Sequence, residues 1–139
     1  MRSALLAAEG FSNDLAIHHL DNLRNSMRFT PENALGSLAK QSGKRFLELF
    51  RHGSLVMEVY KPDKVDQQTP HSRDEVYIVI SGHGHFVANG VRQAFQPGEF
   101  LFAAAGIEHR FEDFSDDFST WVMFYGPEGG EMKVCRELS

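Results

Sequence analysis

His71, Glu75 and His109 are the residues of this chain whose types and spacing could do chemistry. Two imidazoles and a carboxylate suit a first-row divalent cation. Such a set leaves open positions on the ion, the facial arrangement of non-haem Fe(II) oxygenases. Both segments carrying them are bounded by glycine: Thr69 to Gly82 holds His71 and Glu75, and Gly98 to His109 ends on the second histidine. Side chains two or four apart on a strand share a face. Gln67, Thr69, His71, Glu75 and Tyr77 are in phase, and His109 is in phase with Phe111 on what should be a facing strand. The 34-residue separation of Glu75 and His109 accommodates an intervening hairpin and turn. His71, Glu75 and His109 are therefore the candidate metal ligands. Tyr77 is the candidate catalytic residue, donating a hydrogen bond to bound substrate. Gln67, Thr69 and Phe111 are the candidate pocket residues, Gln67 through its amide oxygen and Phe111 as wall.

Other polar residues read as structural. His83-Gly84-His85 looks like a ligand pair, but Asn89 stands where a carboxylate four residues on is needed. Glu108 and Arg110 are out of phase with His109 and should face outward. Glu99, after Gly98, has a turn role. His18 and His19 are expected on the surface of a helix. Cys135 is the single cysteine, so no intrachain disulfide can form; a reducing, cytoplasmic location is the simpler expectation.

These side chains need a frame, and the sequence pattern changes character near Gly43. Before it the apolar period is helical. Ser12 or Asn13 caps a helix over roughly Asp14–Met27, striped by Ala16, Leu20, Leu23 and Met27. Thr30-Pro31-Glu32 starts a second helix, with Leu35, Leu38 and Ala39 as its apolar face and Gly43 as its end. From Lys44 the period falls to two. Strands are expected at Arg45–Phe50, Ser54–Tyr60, Glu75–Ser81, His85–Ala88, Val91–Phe95, Glu99–Ala104, Glu108–Glu112 and Phe118–Tyr125. His52-Gly53, Asn89-Gly90 and Pro97-Gly98 supply the turns. The run Trp121–Tyr125 is apolar on both faces, so its outer face needs a cover, and a partner subunit is the expected one. The chain divides into a helical extension (1–43), a barrel or sandwich (44–126) and a tail (127–139).

Composition agrees with one soluble domain: 139 residues, 42% apolar and 24% charged, with 12 Phe and 12 Gly. A net charge of −5 without a long basic run argues against nucleic-acid binding. No run of about 18 apolar residues is present, so no membrane-spanning helix is expected.

The two glycine-bounded segments resemble the paired motifs of the cupin superfamily, G-x5-H-x-H-x3,4-E-x6-G and G-x5-P-x-G-x2-H-x3-N. This chain reads Thr69-x-His71-x3-Glu75-x6-Gly82 and Gly98-x5-Ala104-x-Gly106-x2-His109-x3-Asp113. The resemblance spans roughly residues 45–125 and is to the small single-domain conserved-barrel type. It implies an all-β jelly-roll barrel, here with a short N-terminal helical extension, often paired as a homodimer. It also implies a divalent metal ion within the barrel, held by His71, Glu75 and His109. Iron, manganese, nickel, cobalt and zinc all accept these donors. Thr69 stands at the first histidine position of the motif, Ala104 at the proline and Asp113 at the asparagine, and the leading glycine of the first motif is absent. The implied function is that of a metal-dependent enzyme, of dioxygenase or isomerase type, acting on a small polar molecule. The alternative is a non-catalytic small-molecule binding barrel with a degenerate or empty metal site.

Overall fold

The computed structural model describes residues 27–132. The first expected helix, apart from its last residue, lies outside them, as do His18, His19 and Cys135. The second helix forms as α1 (Pro31–Ala39). Thr30 is extended and its hydroxyl accepts the Asn33 N–H at 3.1 Å, while Pro31 occupies the first turn, where no donor is missed. The buried stripe is Ala34 and Leu38, four residues apart; Leu35 is half-buried beside them and Ala39 is exposed.

Eight strands follow: β1 (Phe46–His52), β2 (Leu55–Tyr60), β3 (Asp74–Ser81), β4 (Gly84–Ala88), β5 (Val91–Phe95), β6 (Phe100–Ala103), β7 (His109–Glu112) and β8 (Ser119–Tyr125). They pair antiparallel into one sheet of order β1-β2-β8-β3-β6 and a second of order β5-β4-β7. Each strand lies within a residue or two of its predicted span. Asn89 and Gly90 both take positive φ (48° and 77°), as the two-residue turn between β4 and β5 requires. The β1–β2 turn is one residue later than predicted, because His52 still pairs with Leu55.

The core lies between the sheets. Tyr77, Val79, Leu101 and Val122 come from the larger one, Phe86, Phe95 and Phe111 from the smaller, and Phe118 from the segment entering β8. Gly82 lets the chain leave β3 beneath that segment. Its φ is +81°, and a Cβ there would lie 2.5 Å from the Phe118 Cα, so no side chain fits.

The outer face of β8 is covered differently from expectation at its first residues. Trp121 packs with Val59, Leu47, Leu49 and Ile80 under Ala34 and Leu38 of α1, so the chain's own helix supplies that cover. Leu38 contributes about 1.5–3 kcal/mol of burial to this docking, which a nine-residue helix could not replace by intrinsic propensity.

Candidate metal centre

Three elements deliver the three ligands. Glu75 is the second residue of β3 and points inward, opposite Ala103 of β6 and Phe124 of β8. His109 opens β7 in the other sheet, opposite Ala88. His71 lies ahead of β3, on an irregular segment rather than a strand. Its carbonyl accepts the Gly106 N–H at 2.7 Å, and its ring meets the edge of Phe124 at a centroid distance of 4.9 Å. The carboxylate on one sheet thus faces an imidazole on the other, with the second imidazole at the rim.

The His71 Nδ1 and the His109 Nε2 each lie 2.9 Å from Glu75 Oε2, and one ligand atom from each residue lies within 4.8 Å of the others. Glu75 and His109 side chains are 1% exposed and His71 is 35% exposed, so the cluster opens to solvent on the His71 side. Despite the short distances, His71 Nδ1, His109 Nε2 and both Glu75 oxygens make no aligned hydrogen bond. Buried polar atoms are normally hydrogen-bonded. Buried donor atoms crowded together without aiming at one another fit a shared divalent cation, which supplies the missing partner to each.

Glu75 and the two imidazoles are electrostatically coupled. Burial alone would raise the Glu75 carboxyl; the imidazoles of His109 and His71 and the Tyr77 hydroxyl outweigh it and hold it below the ordinary 4.5. Burial disfavours the His109 imidazolium, but Glu75 and the Ile107 carbonyl outweigh it and lift His109 above 6.5. His109 Nδ1 is 2.8 Å from the Ile107 carbonyl oxygen. A carbonyl only accepts, so Nδ1 carries the hydrogen and the neutral ring keeps its Nε2 lone pair toward Glu75. This is how a backbone partner fixes the tautomer of a metal-ligating histidine.

His71 and Glu75 line a cleft of about 1260 Å³ together with Gln67, Thr69, Glu58, Tyr60, Val122 and Phe124, while His109 meets Glu75 from behind that wall. Gln67 and Thr69 therefore face the same space as the triad. Tyr77 and Phe111 do not line it. Tyr77 is fully buried and its hydroxyl donates to Gln68 Oε1 at 2.7 Å. Burial, then Glu75, raises that phenol well above its ordinary range, so it stays a neutral donor. Phe111 lies one layer deeper, edge-on to Tyr77 at 5.0 Å and packed against Phe86, Phe95 and Phe118. Both point inward as their parity suggested, but their depth along the barrel makes them contact core instead of cleft.

Sequence reasoning passed over Asp66, Gln68 and Glu58. Asp66 accepts the Tyr60 hydroxyl (2.6 Å), the Gln68 amide N–H (3.1 Å) and side-chain NH₂ (3.0 Å), and the Phe111 N–H (2.8 Å). It ties the irregular segment before His71 to both sheets. Its bonds to Gln68 and Tyr60 are local, but the one to Phe111 spans 45 residues and nothing local marks it. Glu58 did carry a signal, because Val56, Glu58 and Tyr60 form one face of β2 and a carboxylate interrupts it. Of the residues read as structural, Glu108 and Arg110 are exposed and pair with each other, and Glu99 Oε2 caps its turn by accepting the Gln96 N–H at 3.0 Å.

Residues 56–125 match the model of the cupin domain. An uncharacterized protein of Streptomyces coelicolor is 31% identical over 85 residues, 60% of this chain and 81% of its own length. Among solved structures, KdgF from Halomonas sp. aligns with a TM-score of 0.52 at 18% identity, over 58% of this chain and 76% of that one. A cupin 2 conserved barrel domain protein from Leptotrichia buccalis aligns at 0.55 and 24%, over 68% and 47%. Protein NMB1881 from Neisseria meningitidis aligns at 0.58 and 15%, over 72% and 100%. At these identities the structural likeness speaks to fold alone. With the fold, the two motif segments and the family model in agreement, this chain belongs to the cupin superfamily, as a conserved-barrel protein.

Proposed function

We propose that this protein is a metal-dependent enzyme acting on a small polar molecule held in the barrel, of dioxygenase or isomerase type. The observation that carries the reading is the convergence of His71, Glu75 and His109 within 4.8 Å, buried on two sides and open to a cleft on the third. When bound there, a divalent ion supplies Lewis-acid chemistry and, if it is iron, redox chemistry. Glu75 contributes the compensating negative charge, and His71 and His109 the neutral nitrogens. Phe124 and Val122 form the apolar wall that keeps water from part of the cleft. Thr69 and Gln67 are placed to hydrogen-bond the ligand from the rim. Tyr77 acts through Gln68 as a positioning residue, fixing one edge of the segment that carries the rim.

A second reading, a binding barrel without turnover, is favoured by Thr69 standing where the family motif has its first histidine. The two are separated by loading the protein with Fe(II) under anaerobic conditions and following O₂ consumption with enediol and polyhydroxy acid substrates, alongside NMR of aldose and ketose mixtures for isomerisation. Turnover lost in His109→Ala supports the enzyme. Tight ligand binding without turnover across Fe(II), Mn(II), Ni(II) and Zn(II) supports the binding barrel. A homodimer is the proposed assembly, because Phe100 and Phe102 on β6 are 61% and 44% exposed and lie beside Ile78 and Val76 of β3. Light scattering on the full chain tests it, and a monomer at micromolar concentration rejects it.

A further inference from the structure

Glu58 points into the barrel with neither an ion pair nor a hydrogen bond among the described residues, although it lines the same cleft as the triad. Glu58 is half-buried on the inward face of β2 between Val56 and Tyr60, where a carboxylate without a partner costs stability. Its neighbours do not satisfy it. Across β1 stands Glu48, whose carboxylate accepts from two of the Arg51 guanidinium nitrogens, Nε and Nη2, at 2.9 Å each. Across β8 stands Val122. Two cations line the same cleft without an ion pair or hydrogen bond to Glu58: Arg45 is paired with Asp63 at 3.0 Å, and Lys44 is exposed. Burial first, then Glu48 and Glu75, raise the Glu58 carboxyl to about 7, against smaller lowering contributions from His71 and Arg51.

We infer that Glu58 is the specificity carboxylate of this cleft and that the ligand held at the triad carries a cationic nitrogen at its far end. The inference deepens the metal reading and rests on it. β2 is separated from β3 by β8, two strand spacings or about 10 Å between backbones. Side chains from both strands shorten that gap, so a linker of about four to six atoms between the metal-binding end and the nitrogen fits. A carboxylate or hydroxy acid at one end and an ammonium at the other is the ligand class that uses both groups. A buried charge-assisted contact of this kind raises affinity by roughly tenfold or more.

The test uses the full chain reconstituted with Co(II), whose visible absorption reports ligand entry, and matched probes: 4-aminobutanoate, 5-aminopentanoate and 6-aminohexanoate against butanoate, pentanoate and hexanoate. At least one amino acid of the series is expected to bind about tenfold or more tighter than its uncharged-tail partner. Glu58→Gln should abolish that difference while keeping Co(II) and the affinity for the plain carboxylate. Equal binding within every pair, no binding of any probe at millimolar concentration, or an advantage that survives in Glu58→Gln overturns the assignment. Loss of Co(II) in Glu58→Gln also overturns it, making Glu58 a ligand. Failure of the unsubstituted chain to take up Co(II) removes the metal reading and this inference together, whereas bound Co(II) without ammonium preference removes this inference alone. Thermal melting of Glu58→Gln confirms that the variant is folded.

Discussion

The two halves of the barrel interior are built from the same inward-facing strand positions and have opposite characters. One half is aromatic and closed: Phe86, Phe95, Phe111 and Phe118 interlock at ring-centroid distances of 4.7–5.5 Å, and Phe95 and Phe118 are fully buried. The other half holds Glu75, His71 and Glu58 on the wall of an open cleft, with His109 beside Glu75. The larger sheet contributes to both, since Tyr77 and Val79 continue inward from Glu75 on one strand. The contrast shows a division of labour along a strand. Dispersion and apolar burial in the closed half hold the sheets together, and that frees the open half to carry charged groups that cost stability.

Substitutions that break this contrast should do so in a graded way. Phe118→Ala, in the closed half, has the largest expected effect on folding. It should cost about 3–5 kcal/mol, seen as a fall in Tm of more than about 10 °C, with metal binding retained wherever the chain remains folded. Asp66→Ala acts on the tie between the halves and should cost about 1–3 kcal/mol by leaving the Phe111 N–H without its acceptor. It should also weaken ligand binding through Gln68, and urea unfolding paired with a ligand titration reads both.

The pH dependence sharpens the comparison further, because the open half alone contains the coupled pair. In the metal-free chain, Glu75 is lowered from 4.5, so its stabilisation is present above that value and lost as pH falls through the lowered one. His109 is raised from 6.5, so its stabilisation is present below 6.5 and lost as pH rises through the raised one. Both act in the window from 4.5 to 6.5, and the metal-free chain should melt highest there on account of this pair. Metal should move the maximum upward, since binding needs His109 neutral. His109→Gln should flatten the metal-free profile on its alkaline side. The smallest effect belongs outside the barrel. Arg92 pairs with Glu112 and Asp113 at 3.2 and 2.6 Å on an exposed surface, and Arg92→Ala should change stability by no more than about 1 kcal/mol.

The strands and their turns were legible in the sequence because each carries its own local signal. Val91–Phe95 is announced by Asn89-Gly90, and the end of β3 by Gly82. The triad was legible through its spacing, even though the parity argument assumed a strand at His71 where the chain is irregular. What could not be read was depth and long-range pairing. Phe111 and Tyr77 have the right phase for the cleft, but the barrel's length puts them in the closed half. Trp121 was assigned to a partner subunit because the contact between a short helix and a strand far along the chain has no periodicity to reveal it. The tie of Asp66 to Phe111 was invisible for the same reason, since it spans 45 residues.

The central claim is that the open half is a metal site, and metal content tests it most directly. The gently purified, untagged full chain, with His71→Ala and His109→Ala beside it, is analysed by inductively coupled plasma mass spectrometry before and after reconstitution with Fe(II), Mn(II), Ni(II) and Zn(II). The geometry predicts close to one ion per chain, lost in His109→Ala and sharply reduced in His71→Ala while both variants stay folded by circular dichroism. No ion retained under any of these conditions, or equal retention in all three proteins, would contradict it.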